Sequence, residues 1–119
     1  MEKNKKNKKK FMMLFFGNED LQSPNTQERM QKWGKWFQEL GQSGRLAGGE
    51  ALTPNPGKRI SGKNKQVTDG PFVESKEIIS GFGIILAENL EEAIEIAMGC
   101  PVYDIDGSLE VREVMDTGN

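Results

Sequence analysis

The chain has 119 residues, enough for one domain with a modest core, and its 29% charged and 35% hydrophobic content describes a well-solvated surface. The net charge of −2 is the sum of two unlike parts. Six Lys and one Glu fall in the first ten residues, leaving ten Lys and Arg against 17 acidic residues in the remainder, which argues against a nucleic-acid-binding face on the domain.

One cysteine excludes an intramolecular disulfide and fits a reducing compartment. The absence of histidine removes imidazole metal ligands, a His general base, and Ser-His or Cys-His nucleophile pairs. The apolar run FMMLFF at 11–16 is too short for a membrane span or a secretory core, so a cytoplasmic protein that does not enter membranes is expected.

Residues 1–9 read as a basic flexible tail, 10–115 as one domain, and 116–119 as a C-terminal tail. Residues 10–16 are apolar without alternation, which predicts a first strand buried on both faces. Ser23 and Pro24 predict a helix start, with Ser as N-cap and Pro at the first helical position. Met30, Trp33, Phe37 and Leu40 form one helical stripe that Trp36 widens, and Gly41 is the expected C-cap. Such a stripe reads first as core packing and only second as a ligand-stacking surface.

Residues 45–52 predict the second strand, where Gly48-Gly49 signals a bulge or a close backbone approach. A short hairpin is expected in 58–67, turning at Gly62-Lys63-Asn64. The run GFGIILA marks 78–87 as a central strand. Asn89 then caps a second helix, with Glu92 completing a variant capping box and Leu90, Ala93, Ile94 and Ala97 as its apolar face. Gly99 and Pro101 end that helix, and 108–115 alternates as a last strand. The order β-α-β-(hairpin)-β-α-β predicts an α+β, ferredoxin-like antiparallel sheet with two helices on one face. Apolar strands on the other face call for a cover, and a second copy of the chain is the simplest one.

The chemistry-bearing groups concentrate between the hairpin and the central strand. Asp69-Gly70-Pro71-Phe72 is a rigid turn signal, in which Asp69 is expected to close an Asx-type turn. Glu74, Lys76 and Glu77 follow at once. Asp69 and Glu77 are the candidate acid/base pair, since carboxylates in unlike environments divide those roles. Glu50, Gly70, Pro71, Phe72, Glu74, Lys76 and Gly81 are the candidate ligand-binding residues. A solvated charged loop with one structural turn is the plainer reading of the same cluster. Cys100 lies past a helix end with nothing to lower its pKa and reads as structural. No dinucleotide fingerprint or metal-ligand spacing is present, so no cofactor and no metal are expected, although a carboxylate-only site for a hard cation stays open.

DGPF at 69–72, ESKE at 74–77, the Gly81-Phe82-Gly83 strand, Gly48-Gly49-Glu50 and Gly99-Cys100-Pro101 together resemble the DGPF branch of the YCII-related family. The resemblance implies a dimeric α/β barrel made by two packed sheets. Some members of the wider family carry a histidine-aspartate pair proposed as catalytic, and a ring-dehalogenating enzyme is related. That pair does not transfer to a chain without histidine; only Asp69 and its loop do. The DGPF branch is also associated with extracytoplasmic-function sigma factors, and relatives are labelled transcription initiation protein. Two expectations follow. One is a homodimer with a pocket for a small organic ligand, an enzyme or pseudo-enzyme using carboxylates. The alternative is a non-catalytic accessory module with a protein partner in transcription.

Overall fold

A computed structural model describes residues 8–17, 24–55, 57–70 and 78–118. Strand β1 (Lys9–Phe16) is followed by helix α1 (Thr26–Gln42), β2 (Leu46–Ala51), the hairpin β3 (Lys58–Ser61) and β4 (Gln66–Asp69), β5 (Ile79–Ala87), helix α2 (Leu90–Ala97), a 3-10 helix (Pro101–Ile105) and β6 (Ser108–Glu113). The main sheet has the order β2-β5-β1-β6, every pairing antiparallel, and the hairpin forms a sheet of its own. This is the expected ferredoxin-like arrangement, with the long apolar strand β5 in a central place.

Alternation decides where the core lies. Phe11, Met13 and Phe15 of β1 and Ile85 and Ala87 of β5 are buried on the helix side. Met12, Leu14, Phe16, Phe82, Ile84 and Leu86 point to the opposite face and are half-buried. The expected two-sided burial of β1 is thus full on one face only, because both helices pack on that face. The core closes with Trp36 and Leu40 from α1, Ala93, Ile96 and Ala97 from α2, and Cys100 and Val102 beyond it. Phe15 stands edge-on to three rings at once, Trp33 at 5.1 Å and Trp36 and Phe37 at 6.2 Å, a geometry that suits the ring quadrupole.

Three local expectations are corrected. Helix α1 begins at Thr26 with Asn25 as N-cap and no side-chain cap bond; Ser23 lies outside the described residues. Its C-terminus passes through Gly41 to Gln42, and the left-handed residue is Gly44 at φ 74°, where the Arg45 N–H closes the helix end on the Leu40 carbonyl at 2.9 Å. The buried face of α2 is Ala93, Ile96 and Ala97, while Leu90 and Ile94 are exposed. The cap of α2 is as expected: Asn89 accepts from the Glu92 N–H at 2.8 Å. The Glu92 carboxylate reaches back one residue further, to the Glu88 N–H at 2.9 Å. Past α2, Arg29 ties α1 to the 3-10 helix by bonds of 3.1 Å to Asp104 and to the Pro101 carbonyl. No helix among the described residues is long and apolar enough to cross a membrane.

Candidate functional site: an apolar cavity between α1 and the sheet edge

Small residues on neighbouring strands shape the site. The register sets Gly49 opposite Gly83 and Ala51 opposite Gly81, all on the helix side of the β2–β5 pair. A Cβ on Gly49 would lie 2.7 Å from the Phe82 carbonyl oxygen, and one on Gly81 would lie 2.7 Å from that of Glu50. Both glycines therefore let the strands approach. Gly48 and Gly49 also hold φ of 155°, a backbone state open to glycine, next to the irregularity between Leu46 and Gly48. The paired glycines of the sequence thus mark both a bulge and a close approach.

The space above Gly83 is taken by Met13, Phe15 and Phe37. Over Ala51, and past the Phe15 ring edge that a Cβ on Gly81 would meet at 3.5 Å, space remains as a cavity of about 510 Å³ between α1 and the sheet edge. Its walls are Phe15, Trp33, Phe37, Met30 and Leu46, and its floor is the backbone of residues 48–51 with Ser80 and Gly81. Trp33 and Phe37 stack with their rings 24° apart. Glu50 opposes Phe82 and so turns its side chain to the other face of the sheet, bordering the cavity through its backbone. The Ser80 hydroxyl donates to the Phe15 carbonyl at 3.4 Å. The surface offered to a ligand is rings, methyl groups and flat backbone, in the volume range of small-molecule sites.

The sequence candidates divide around this cavity. Gly81 lines it directly and Glu50 by its main chain. Asp69 ends β4 with its side chain 84% exposed, paired with Lys58 Nζ at 2.5 Å, and is not among the lining residues. The expected Asx turn cannot form at Asp69, because the residue two positions on is Pro71, which has no N–H to donate. Gly70 donates instead to the Gly57 carbonyl at 3.3 Å, across the base of the hairpin. Pro71, Phe72, Glu74, Lys76 and Glu77 lie outside the described residues. Phe15, Met30, Trp33 and Phe37 were legible as a stripe and a strand, but their site role depends on an open floor beneath them.

A second, shallower hollow runs beside Trp36, Glu39, Met98 and Tyr103. Cys100 is buried beneath it, its Sγ accepting from the Val102 N–H at 3.4 Å. Tyr103 donates its hydroxyl to the Ala97 carbonyl at 3.0 Å, satisfying a C-terminal carbonyl of α2. Burial, and then the neighbouring Cys100, raise the Tyr103 phenol above its ordinary value of 10.0. A raised phenol keeps its proton longer in the folded chain than in the unfolded one. Its contribution to stability is whole below the ordinary value and is lost as pH rises through the folded value. Tyr103 is the only tyrosine. Absorbance of tyrosinate is therefore expected to show a midpoint above 10 in the native chain and at about 10 in urea. Coincident midpoints would remove the effect.

A comparison with curated proteins gives no match. The family model of the YCII-related domain matches residues 9–117, from the first residue of β1 past the last strand. With that match spanning nearly the whole chain, this protein belongs to the YCII-related family.

Proposed function

We propose that this YCII-related chain is a homodimer that binds a small, flat, largely apolar organic molecule between α1 and the β2–β5 edge. The observation that carries the reading is the cavity of about 510 Å³, with stacked rings above a floor of glycine backbone. Flat backbone lets a ring come to van der Waals distance, and aromatic walls supply large contact area with little ordering cost. The dimer is supported by the outer sheet face, where Met12, Leu14, Phe16, Phe82, Ile84 and Leu86 have no helix over them among the described residues. Catalysis is the finer part of the reading. It assigns proton transfer to Asp69 and Glu77, with Glu50, Gly70, Pro71, Phe72, Glu74 and Lys76 contacting the reacting molecule. Binding in the cavity does not depend on it.

Calorimetric titration with 1-naphthol tests the binding reading. One site per chain with a dissociation constant below about 1 mM is expected, a value reachable for a ligand of this size. Ala51→Phe, which fills the floor, should abolish the heat without lowering the melting temperature. Equal heats for the wild type and Ala51→Phe would place any binding elsewhere.

One observation favours a second reading, an accessory role beside a transcription factor. Leu90, Ile94 and Met98 are 47%, 38% and 70% exposed and recur every four residues, making an apolar stripe along the outside of α2. Glu91 and Glu95 flank it. Such a stripe suits a protein partner, and a purified sigma factor that binds the wild type but not Ile94→Asp would support this reading.

A further inference from the structure

The hairpin β3–β4 stands apart from the main sheet, and every residue of its two strands is exposed. A two-stranded ribbon in water is marginal alone and gains stability from a further layer. Its register pairs Lys58 with Asp69 and Ile60 with Val67, so these four side chains share one face. Ile60 and Val67 are 67% and 59% exposed. That face is thus an apolar pair beside an ion pair, left exposed by the described residues of its own chain.

The outer face of the main sheet is the complementary surface. The ladders align Glu50, Phe82, Leu14 and Glu110 in one row across four strands, two apolar residues between two carboxylates. Among the described residues no cation pairs with Glu50. The hairpin carries Lys58, Arg59, Lys63 and Lys65 against the single acid Asp69. Among the described residues the chain therefore holds a basic-apolar ribbon and an apolar sheet row that ends in Glu110, paired with Arg112 at 4.0 Å, and in Glu50, which has no cation, and neither surface has a covering layer.

We propose that the hairpin of one copy is an arm that lies on the outer sheet face of a second copy. Ile60 and Val67 rest on Phe82 and Leu14 of the second copy, and Lys58 sits between its own Asp69 and the second copy's Glu50. The exchange brings together Asp69 and Glu50, which one chain leaves at the hairpin base and on a sheet face, so a site using both carboxylates is complete only in the dimer. The inference rests on the homodimer of the proposed function.

Charge reversal in trans tests it. Glu50→Lys and Lys58→Glu are each expected to weaken self-association at least tenfold in sedimentation velocity, through a like-charge contact at each arm. An equimolar mixture should recover the wild-type dimer, because each arm in the mixed pair then meets an opposite charge. Ile60→Ser with Val67→Ser should also weaken the dimer at least tenfold while the main domain keeps its melting temperature. Recovery in the mixture establishes exchange between copies, since an intrachain contact would stay mismatched in both partners. Dimers of wild-type strength from the single variants, or a mixture no stronger than either alone, would overturn the arm while leaving the homodimer standing. A wild type that sediments as a monomer at micromolar concentration would overturn both.

Discussion

Phe15→Ala is expected to destabilise the fold by about 3–5 kcal/mol, the largest loss from a single truncation here. The ring is 3% exposed and makes edge contacts with Trp33, Trp36 and Phe37, so its removal loses burial and three favourable ring geometries together. β1 lies between β5 and β6, and the cavity left behind cannot close by moving an edge. Domains of this size are stable by about 5–15 kcal/mol, so a melting temperature lower by more than about 10 °C is expected by circular dichroism. A fall of only a few degrees would mean that the aromatic cluster is not the organising part of the core.

The second large effect is at Gly81. A Cβ there meets the Glu50 carbonyl at 2.7 Å and the Ala51 Cα at 3.2 Å, both main-chain atoms of β2. The edge strand must shift, straining the ladder and the Leu52 N–H bond to the Ser80 carbonyl, 2.9 Å long. Gly81→Ala is expected to cost about 1–3 kcal/mol, as overpacking does, and to abolish binding of 1-naphthol by moving the cavity floor. Gly34 supplies the opposite sign. It lies in α1 with nothing within 4 Å of its missing Cβ, so Gly34→Ala should stabilise by about 0.5–1 kcal/mol through helix propensity alone. Urea unfolding of the two variants decides this; equal shifts would contradict the packing argument.

The order of elements was legible because the helices and the last strand carry their own period, while β1 and β5 are short apolar runs bounded by turn residues. The hairpin turn at Gly62 and the Asn89 cap were legible for the same reason, being made by residues a few positions apart. The face of α2 was misread by a single step. Ile94 and Ile96 are both apolar within two turns, and packing against β5, β6 and β1 selects Ile96. The cavity was harder to see. Trp33 and Phe37 form a stripe whose plain meaning is core, and the open floor beside them exists because Ala51 meets Gly81 across a ladder. That pairing joins residues far apart in sequence. Asp69 drew attention by its turn motif, yet the following Pro71 lacks the donor an Asx turn requires, and Lys58 from the partner strand takes the carboxylate instead.

The central claim, an apolar ligand seat between α1 and the sheet edge, is tested most directly by amide and indole chemical shifts during titration with 1-naphthol. Saturable shifts are predicted at Gly48, Gly49, Ala51 and Gly81 and at the Trp33 indole N–H, fitting one dissociation constant. No saturable shift at these positions, or shifts confined to Trp36, Met98, Gly99 and Tyr103 around the shallower hollow, would contradict it.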